Sequence, residues 1–221
     1  MPKPTAPSSN AADTDPHEIR VFTKQFLAQT AEVVTRCFLN HEAMTASQRV
    51  PEPFFFQFVS SLLRRSHEDG LSMIALDRHD GHVAAVLINE DWAIGPPEMD
   101  WDPVFLPIIT LLDKLGQTYS KDLDMRPGFY FHLFMLAVDA PFKGRRLGDR
   151  LVGESLELAR SKGFKKAVVE ATGGASQYIC RNLHGFEERH RINYKEFRYR
   201  DSPVFSGIRG EECTILMDRT L

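Results

Sequence analysis

The stretch Leu136-Ala137-Val138-Asp139-Ala140-Pro141-Phe142-Lys143-Gly144-Arg145-Arg146-Leu147-Gly148-Asp149-Arg150-Leu151 decides the fold. Its first residues continue an apolar run from Phe129, which reads as a buried strand ending at Val138. Pro141 and Gly144 break the ladder and make a loop. From Arg145 to Lys162, Leu147, Leu151 and Leu158 mark one side of a helix, and Gly163 stops it. A strand that passes through such a loop into a helix presents unpaired N–H groups and a positive partial charge just beyond the strand end. Phosphates sit well there. Gly144 and Gly148 let backbone approach a ligand without a Cβ in the way, while Lys143, Arg145 and Arg146 add positive charge. The loop is not a nucleotide P-loop, since no Gly-Lys-Ser/Thr ends it, and it lacks the Gly-x-Gly-x-x-Gly spacing of dinucleotide sites. A plain connection with solvated basic side chains is the competing reading.

Upstream of this segment, Glu18–Thr23 alternates Ile19, Val21 and Phe22 as a first strand. Leu27, Ala31, Val34 and Phe38 then recur at helical steps until about Asn40. Pro51 and Pro53 open a second helix over Phe54–Ser66. Strands at Leu71–Asp77 and His82–Asn89, joined through Asp80-Gly81, read as a hairpin. Between Trp92 and Pro127, Phe105, Ile108, Ile109, Leu112 and Leu115 are spaced as an inserted helix. Downstream come a strand at Lys165–Ala171, a short helix at Ala175–His184, a strand at Phe186–Phe197 and a last strand at Glu212–Asp218. This order predicts an α/β (α+β) domain with a mixed sheet of about six to seven strands.

The bulk numbers restrict the function classes. A chain of 221 residues with 43% hydrophobic and 26% charged residues buries a full core, and residues 17–221 read as one domain behind a disordered tail at Met1–Pro16. A net charge of -3 gives nucleic acid no support as a partner. Cys37, Cys180 and Cys213 are too far apart for a zinc or redox motif, and their odd number argues against a disulfide framework. No metal is implied. Without a signal-like or membrane-spanning apolar run, a cytosolic protein is expected. The acidic pairs Glu90-Asp91 and Asp100/Asp102 could attract a cationic amine but are read as solvated, and Phe54-Phe55-Phe56 as helix core that could also line a pocket.

With its context, the deciding segment resembles motif A of the GNAT acetyltransferases, Arg/Gln-x-x-Gly-x-Gly/Ala after a strand ending Val-Asp/Ala-Pro. Lys143 stands at the Arg/Gln position and Gly148 at the final Gly/Ala, while Arg146 departs from the middle Gly. Tyr178 through Gly185-Phe186 is similar to motif B, with Arg181 where many members carry Tyr. Asn40-His41-Glu42-Ala43-Met44 is similar to the Asp-Glu-Pro-Leu/Met signature of the arylalkylamine branch, which includes the insect dopamine acetyltransferases.

That resemblance implies a GNAT fold with a helical insertion before the motif A strand. It also implies acetyl-CoA as co-substrate and direct attack by an amine in a ternary complex. Leu136, Ala137 and Val138 would line the pantetheine arm, and Lys143, Gly144, Arg145, Arg146, Leu147 and Gly148 would cradle the phosphates. An alkylamine has a pKa near about 10, so roughly one molecule in a thousand is neutral at pH 7 and a base is needed. Glu42 matches the branch's signature Glu and is the first candidate, followed by His132 and Glu170. Ser176 and Tyr178 are the candidates for the acid that protonates the leaving thiolate. The acceptor stays open among arylalkylamines, polyamines, antibiotic amines and protein amines, and so does a homodimer. A non-catalytic acyl-CoA-binding module and an unrelated phosphate-binding domain are the competing classes.

Overall fold

The computed structural model describes residues 15–95 and 100–221. Strands β1 (His17–Val21), β2 (Met73–Asp77), β3 (Val83–Asp91), β4 (Tyr130–Val138), β5 (Lys166–Ala171), β6 (Glu187–Asn193) and β7 (Cys213–Thr220) form one seven-stranded sheet in the order β1-β2-β3-β4-β5-β7-β6. The helices are α1 (Leu27–His41), α2 (Ala43–Gln48), α3 (Glu52–Asp69), α4 (Leu106–Ser120), α5 (Leu147–Ser161) and α6 (Gly174–Tyr178). Neighbouring strands are antiparallel except β4 and β5, which run parallel.

Two apolar clusters sandwich the sheet. On one side α1, α3 and α4 bury Val34, Phe55, Phe58, Ile108 and Leu111 against Ile74, Val86 and Ile88. On the other, α5 buries Leu147, Leu151, Val152 and Leu156 against Met73, Leu87 and Phe131. Each of these side chains contributes about 1.5–3 kcal/mol on burial. Strand β3 is buried at every position because both faces are covered. Strand β6, Glu187-Glu188-Arg189-His190-Arg191-Ile192-Asn193, lies at an edge, where its charges discourage pairing with a further strand.

Several boundaries differ from the sequence reading. The first helix is preceded by a 3-10 turn at Lys24–Phe26. Helix α2 was not expected; Glu42 caps its first turn by accepting from the amides of Met44 (3.1 Å) and Thr45 (2.7 Å). The expected helix at Ala175–His184 is α6 followed by a π turn at Ile179–Leu183. The strand expected over Phe186–Phe197 ends at Asn193, because Tyr194 and Phe197 turn inward to pack on Phe205. The inserted helix is α4, and residues 96–99 of the insertion lie outside the described residues. So do residues 1–14 of the expected tail, whereas Asp15 is ion-paired to Arg150 at 2.5 Å and the Pro16 carbonyl accepts from the Arg78 amide at 2.8 Å.

The feature that positions the site is a parting of the sheet. Strands β4 and β5 pair only from Tyr130↔Lys166 to His132↔Val168. Beyond that point β4 continues to Val138 and β5 to Ala171 without each other. Opposite β3, the register of β4 shifts between Leu133 and Met135, so Phe134 bulges where the parting begins.

Candidate active site

A cavity of about 830 Å³ fills the gap between β4 and β5 and opens toward both faces of the sheet. Its wall includes the β4 residues Leu136, Ala137 and Val138, whose half of the strand has lost its β5 partner. At the end of β4, the buried Asp139 carboxylate holds Arg36 at 2.8 Å and His82 at 3.2 Å and accepts from the Ala140 amide at 2.9 Å. Burial pushes that carboxyl up, but the hydrogen bonds from Arg36, His82 and the Ala140 amide outweigh it and hold it below the usual range. The loop is thereby tied to α1 and to the β2–β3 turn.

Past this anchor, Lys143, Gly144, Arg146, Leu147 and Gly148 line the cavity. Arg145 does not; its guanidinium lies over the Phe142 ring at 5.2 Å. Arg146 takes a left-handed backbone, φ 60°, as the residue before α5. This is why a glycine is usual at that position: a residue with a Cβ costs about 1–2 kcal/mol there. The departure is absorbed locally, with Arg146 reaching forward to Asp149 at 2.7 Å, and it leaves the first turn of α5 without a side-chain cap. Gly148 is buried, and a Cβ on it would meet Ile179 Cδ1 at 3.2 Å and Leu136 Cδ2 at 3.5 Å. The missing side chain thus lets α5, β4 and the π turn close together around the cavity wall.

On the opposite side of the sheet the wall is aromatic and aliphatic: Phe38, Phe55, Phe58, Phe105, Ile109 and Phe134. Phe55, Phe58 and Phe105 pack edge to face or tilted at 5.5–5.9 Å from one another, Phe58 lies tilted at 5.4 Å from Trp101, and Phe38 stacks on Phe55 at 5.8 Å. Of the Phe54-Phe55-Phe56 run, Phe55 is both core and wall, while Phe56 is exposed.

Glu42, Ser176 and Tyr178 all reach this cavity. Glu42 lies half-buried between α1 and α2, with its carboxylate engaged by the two α2 amides. Ser176 donates to the Gly173 carbonyl at 2.9 Å, and Tyr178 is largely exposed at the rim. Arg181 points away and pairs with Glu188 at 2.6 Å. Glu170 also lines the cavity, whereas His132 lies behind it.

His132 is sandwiched by carboxylates, with Nε2 2.5 Å from Glu170 Oε2 and Nδ1 3.0 Å from Glu90 Oε1. Burial alone would push its imidazole down, but the Glu170 charge and the hydrogen bonds to Glu170 and Glu90 outweigh it and hold it up at about 10. The expectation that Glu90-Asp91 is solvated is corrected here. Both are buried in β3, and Asp91 accepts from the Gly128 amide at 2.5 Å. A continuous strand covered on both faces carries its last polar residues inside with it. Sequence reasoning also missed Glu211, which lines the cavity and accepts from the Gly174 amide at 2.7 Å to cap α6. No spacing rule links it to Gly174 across so much chain.

A strand parted from its parallel neighbour, a basic loop at its end, an uncapped helix start and an apolar pocket across the sheet define a class. It is a transferase whose site runs through a parted sheet. More narrowly, the chain belongs to the acetyltransferase (GNAT) family, whose profile matches residues 38–186, and it is an N-acetyltransferase by that membership. Solved structures share the fold at low identity. The C-terminal condensation domain of Ebony, in complex with beta-alanyl-dopamine, superposes with a TM-score of 0.85 at 15% identity, covering 93% of this chain and 99% of that one. Arylalkylamine N-acetyltransferase 2 from Aedes aegypti gives 0.78 at 22% identity over 93% and 99% of the two chains. The Drosophila melanogaster polyamine N-acetyltransferase gives 0.70 at 20% identity over 93% and 100%.

Proposed function

We propose that this protein uses acetyl-CoA to acetylate a small primary amine with an aryl or otherwise apolar body, by direct attack in a ternary complex in the cytosol. The observation that carries the reading is the single cavity that joins the Lys143–Gly148 loop to the Phe55, Phe58 and Phe105 pocket through the parted strands. The residues present fit coenzyme A. Gly148 withholds a Cβ from the cavity wall, and Lys143 and Arg146 supply charge at an uncapped helix start. In this reading Leu136, Ala137 and Val138 hold the pantetheine arm, and acetyl-CoA supplies the thioester to be attacked. The pocket wall excludes water from the amine and rewards an apolar body with burial. Relatives named for arylalkylamines and polyamines agree with a small amine acceptor.

Glu42 takes the proton from the attacking amine, directly or through water, since each carboxylate oxygen keeps a lone pair beyond its α2 amide bond. Ser176 and Tyr178 are the hydroxyls placed to return a proton on the leaving side, with Ser176 already within the cavity wall. The test is to incubate the purified protein with acetyl-CoA and a panel of arylalkylamines, polyamines, amino acids, an aminoglycoside and lysine peptides, and to detect products by mass. Acetylation concentrated on the arylalkylamines supports the reading; acetyl-CoA binding without turnover on any amine refutes it. For the amine that reacts, Glu42→Gln is expected to lower kcat by about 10²-fold or more while leaving the acetyl-CoA KM unchanged.

A further inference from the structure

The Glu90–His132–Glu170 cluster sets two buried carboxyl side chains around one imidazole. Among the described residues neither carboxyl group forms an ion pair with a lysine or arginine. The side chains of His132, Glu90 and Glu170 are only 4%, 9% and 9% exposed. The rings of Trp92 and Phe134 pack on His132 with centroids at 5.8 and 5.2 Å, so the surroundings are apolar and solvent compensates little. A cation brought to the open side of this cluster meets two carboxyl groups in surroundings that screen the attraction little. The Asp113 carboxyl is pushed up, by burial first and by Glu170 second.

Only one member of the cluster reaches the cavity. Glu170 lines it, while His132 and Glu90 stand behind. One Glu170 oxygen is held by His132; the other has no hydrogen-bond partner among the described residues, on a side chain that lines the cavity. Glu42 and Glu211 also line the cavity, but both carboxylates already accept from backbone amides, Glu42 from Met44 and Thr45 and Glu211 from Gly174, whereas the free Glu170 oxygen accepts from none among the described residues.

We propose that Glu170 is the docking carboxylate for the acceptor's ammonium group, held in place and in charge by His132 and Glu90, so that the entering cation meets a buried cluster of two carboxyl groups. This rests on the reading of the cavity as an amine acetyltransferase site. It assigns amine selection to a side chain on β5, apart from the α1–α2 junction that carries Glu42. It also gives the site a reason to prefer a cation over a neutral molecule of the same shape, in a pocket whose remaining wall is aromatic.

The experiment compares 2-phenylethylamine with its neutral isostere 2-phenylethanol, each titrated calorimetrically into the full chain saturated with coenzyme A at pH 7.5. The wild type is expected to bind the amine at least about tenfold more tightly than the alcohol, the equivalent of roughly 1.4 kcal/mol. Glu170→Gln is expected to bring the ratio close to one while leaving the affinity for the alcohol and for coenzyme A unchanged. A merely structural role would weaken amine and alcohol together. Glu90→Gln provides a second variant that does not touch the cavity: it leaves a neutral His132–Glu170 pair and is expected to shrink the ratio in the same direction. A wild-type ratio near one, or a ratio that survives both substitutions, overturns the proposal even if the wild type acetylates amines. A wild type that acetylates no amine overturns the underlying reading and this inference with it.

Discussion

Replacing His132 by Asn removes the positive member of a buried cluster and leaves Glu90 and Glu170 facing each other without a cation. Breaking a buried ion pair costs about 3–5 kcal/mol. The surroundings of His132 give the same order: burial pulls its imidazole down, but Glu170 and Glu90 outweigh that and raise it from an ordinary 6.5 to about 10, and each unit is about 1.4 kcal/mol. The sign follows from proton counting. Below about pH 6.5 both folded and unfolded chains carry the proton, so the full contribution is present. Between about 6.5 and 10 only the folded chain keeps it, and the contribution falls by at most about 1.4 kcal/mol per pH unit. Above about 10 it is gone. Urea unfolding of wild type and His132→Asn at pH 6, 7.5 and 9 measures the difference, in which titrating groups remote from the cluster cancel to first order. The gap is expected to be largest at pH 6 and to shrink by about 2–4 kcal/mol at pH 9. An equal gap at all three pH values would show that His132 is neutral in the fold and would refute the charge assignment on which the cluster argument stands.

Asp139→Asn keeps the shape of the β4 anchor and removes its charge. Because Arg36 is about half exposed, with 49% of its side-chain surface accessible, the cost is expected to be about 1–2 kcal/mol at pH 6. The folded carboxyl lies below its ordinary value, so this gap is present above about pH 4 and is lost as pH falls through the depressed value; unfolding at pH 3 and pH 6 checks it. Gly148→Val places methyl groups against Ile179 and Leu136 and into the cavity. It is expected to weaken acetyl-CoA binding by about tenfold or more with the helix content unchanged in circular dichroism. Arg146→Gly relieves the left-handed backbone by about 1 kcal/mol but adds a similar unfolded-chain entropy and loses the Asp149 pair. Stability is therefore expected to stay within about 0.5 kcal/mol, while acetyl-CoA binding weakens on losing one charge, as calorimetry at low and high salt would show.

The strand–loop–helix segment was legible because its three signals are local and agree. The apolar run stops at Val138, the glycines and Pro141 cluster, and the leucine period begins at Leu147. The inserted α4 was legible for the same reason, through Ile108, Leu112 and Leu115. Helix α2 was not. Six residues, Ala43–Gln48, are too few for a period to show, and its cap is Glu42, a residue type less favoured there than Ser, Thr, Asp or Asn. The strand begun at Phe186 was drawn too long because Tyr194 and Phe197 continue an apolar pattern. Yet their burial comes from packing on Phe205 after the chain has turned.

The site divides along the same line. The loop side of the cavity lies in one stretch of sequence, and its expected residues line the cavity except Arg145, which the Phe142 ring captures. The opposite wall is assembled from α1, α3, the insertion, β4 and β5, and no spacing connects those pieces. Glu90 shows what is lost. As a residue in an acidic pair at the end of a strand, it looks solvated. Its depth becomes apparent only when β3 is known to pair with β4 so that Glu90 lies opposite His132, and when β5 is known to bring Glu170 to the other side of the ring. A side chain that reads as surface charge along the chain is, in three dimensions, one of two buried carboxyl groups flanking an imidazole, and the cluster belongs to the assembly of three strands rather than to any one residue. The pH dependence of His132→Asn tests this directly, because an imidazole without both buried carboxyl neighbours would keep its ordinary value and leave the gap flat above neutral pH.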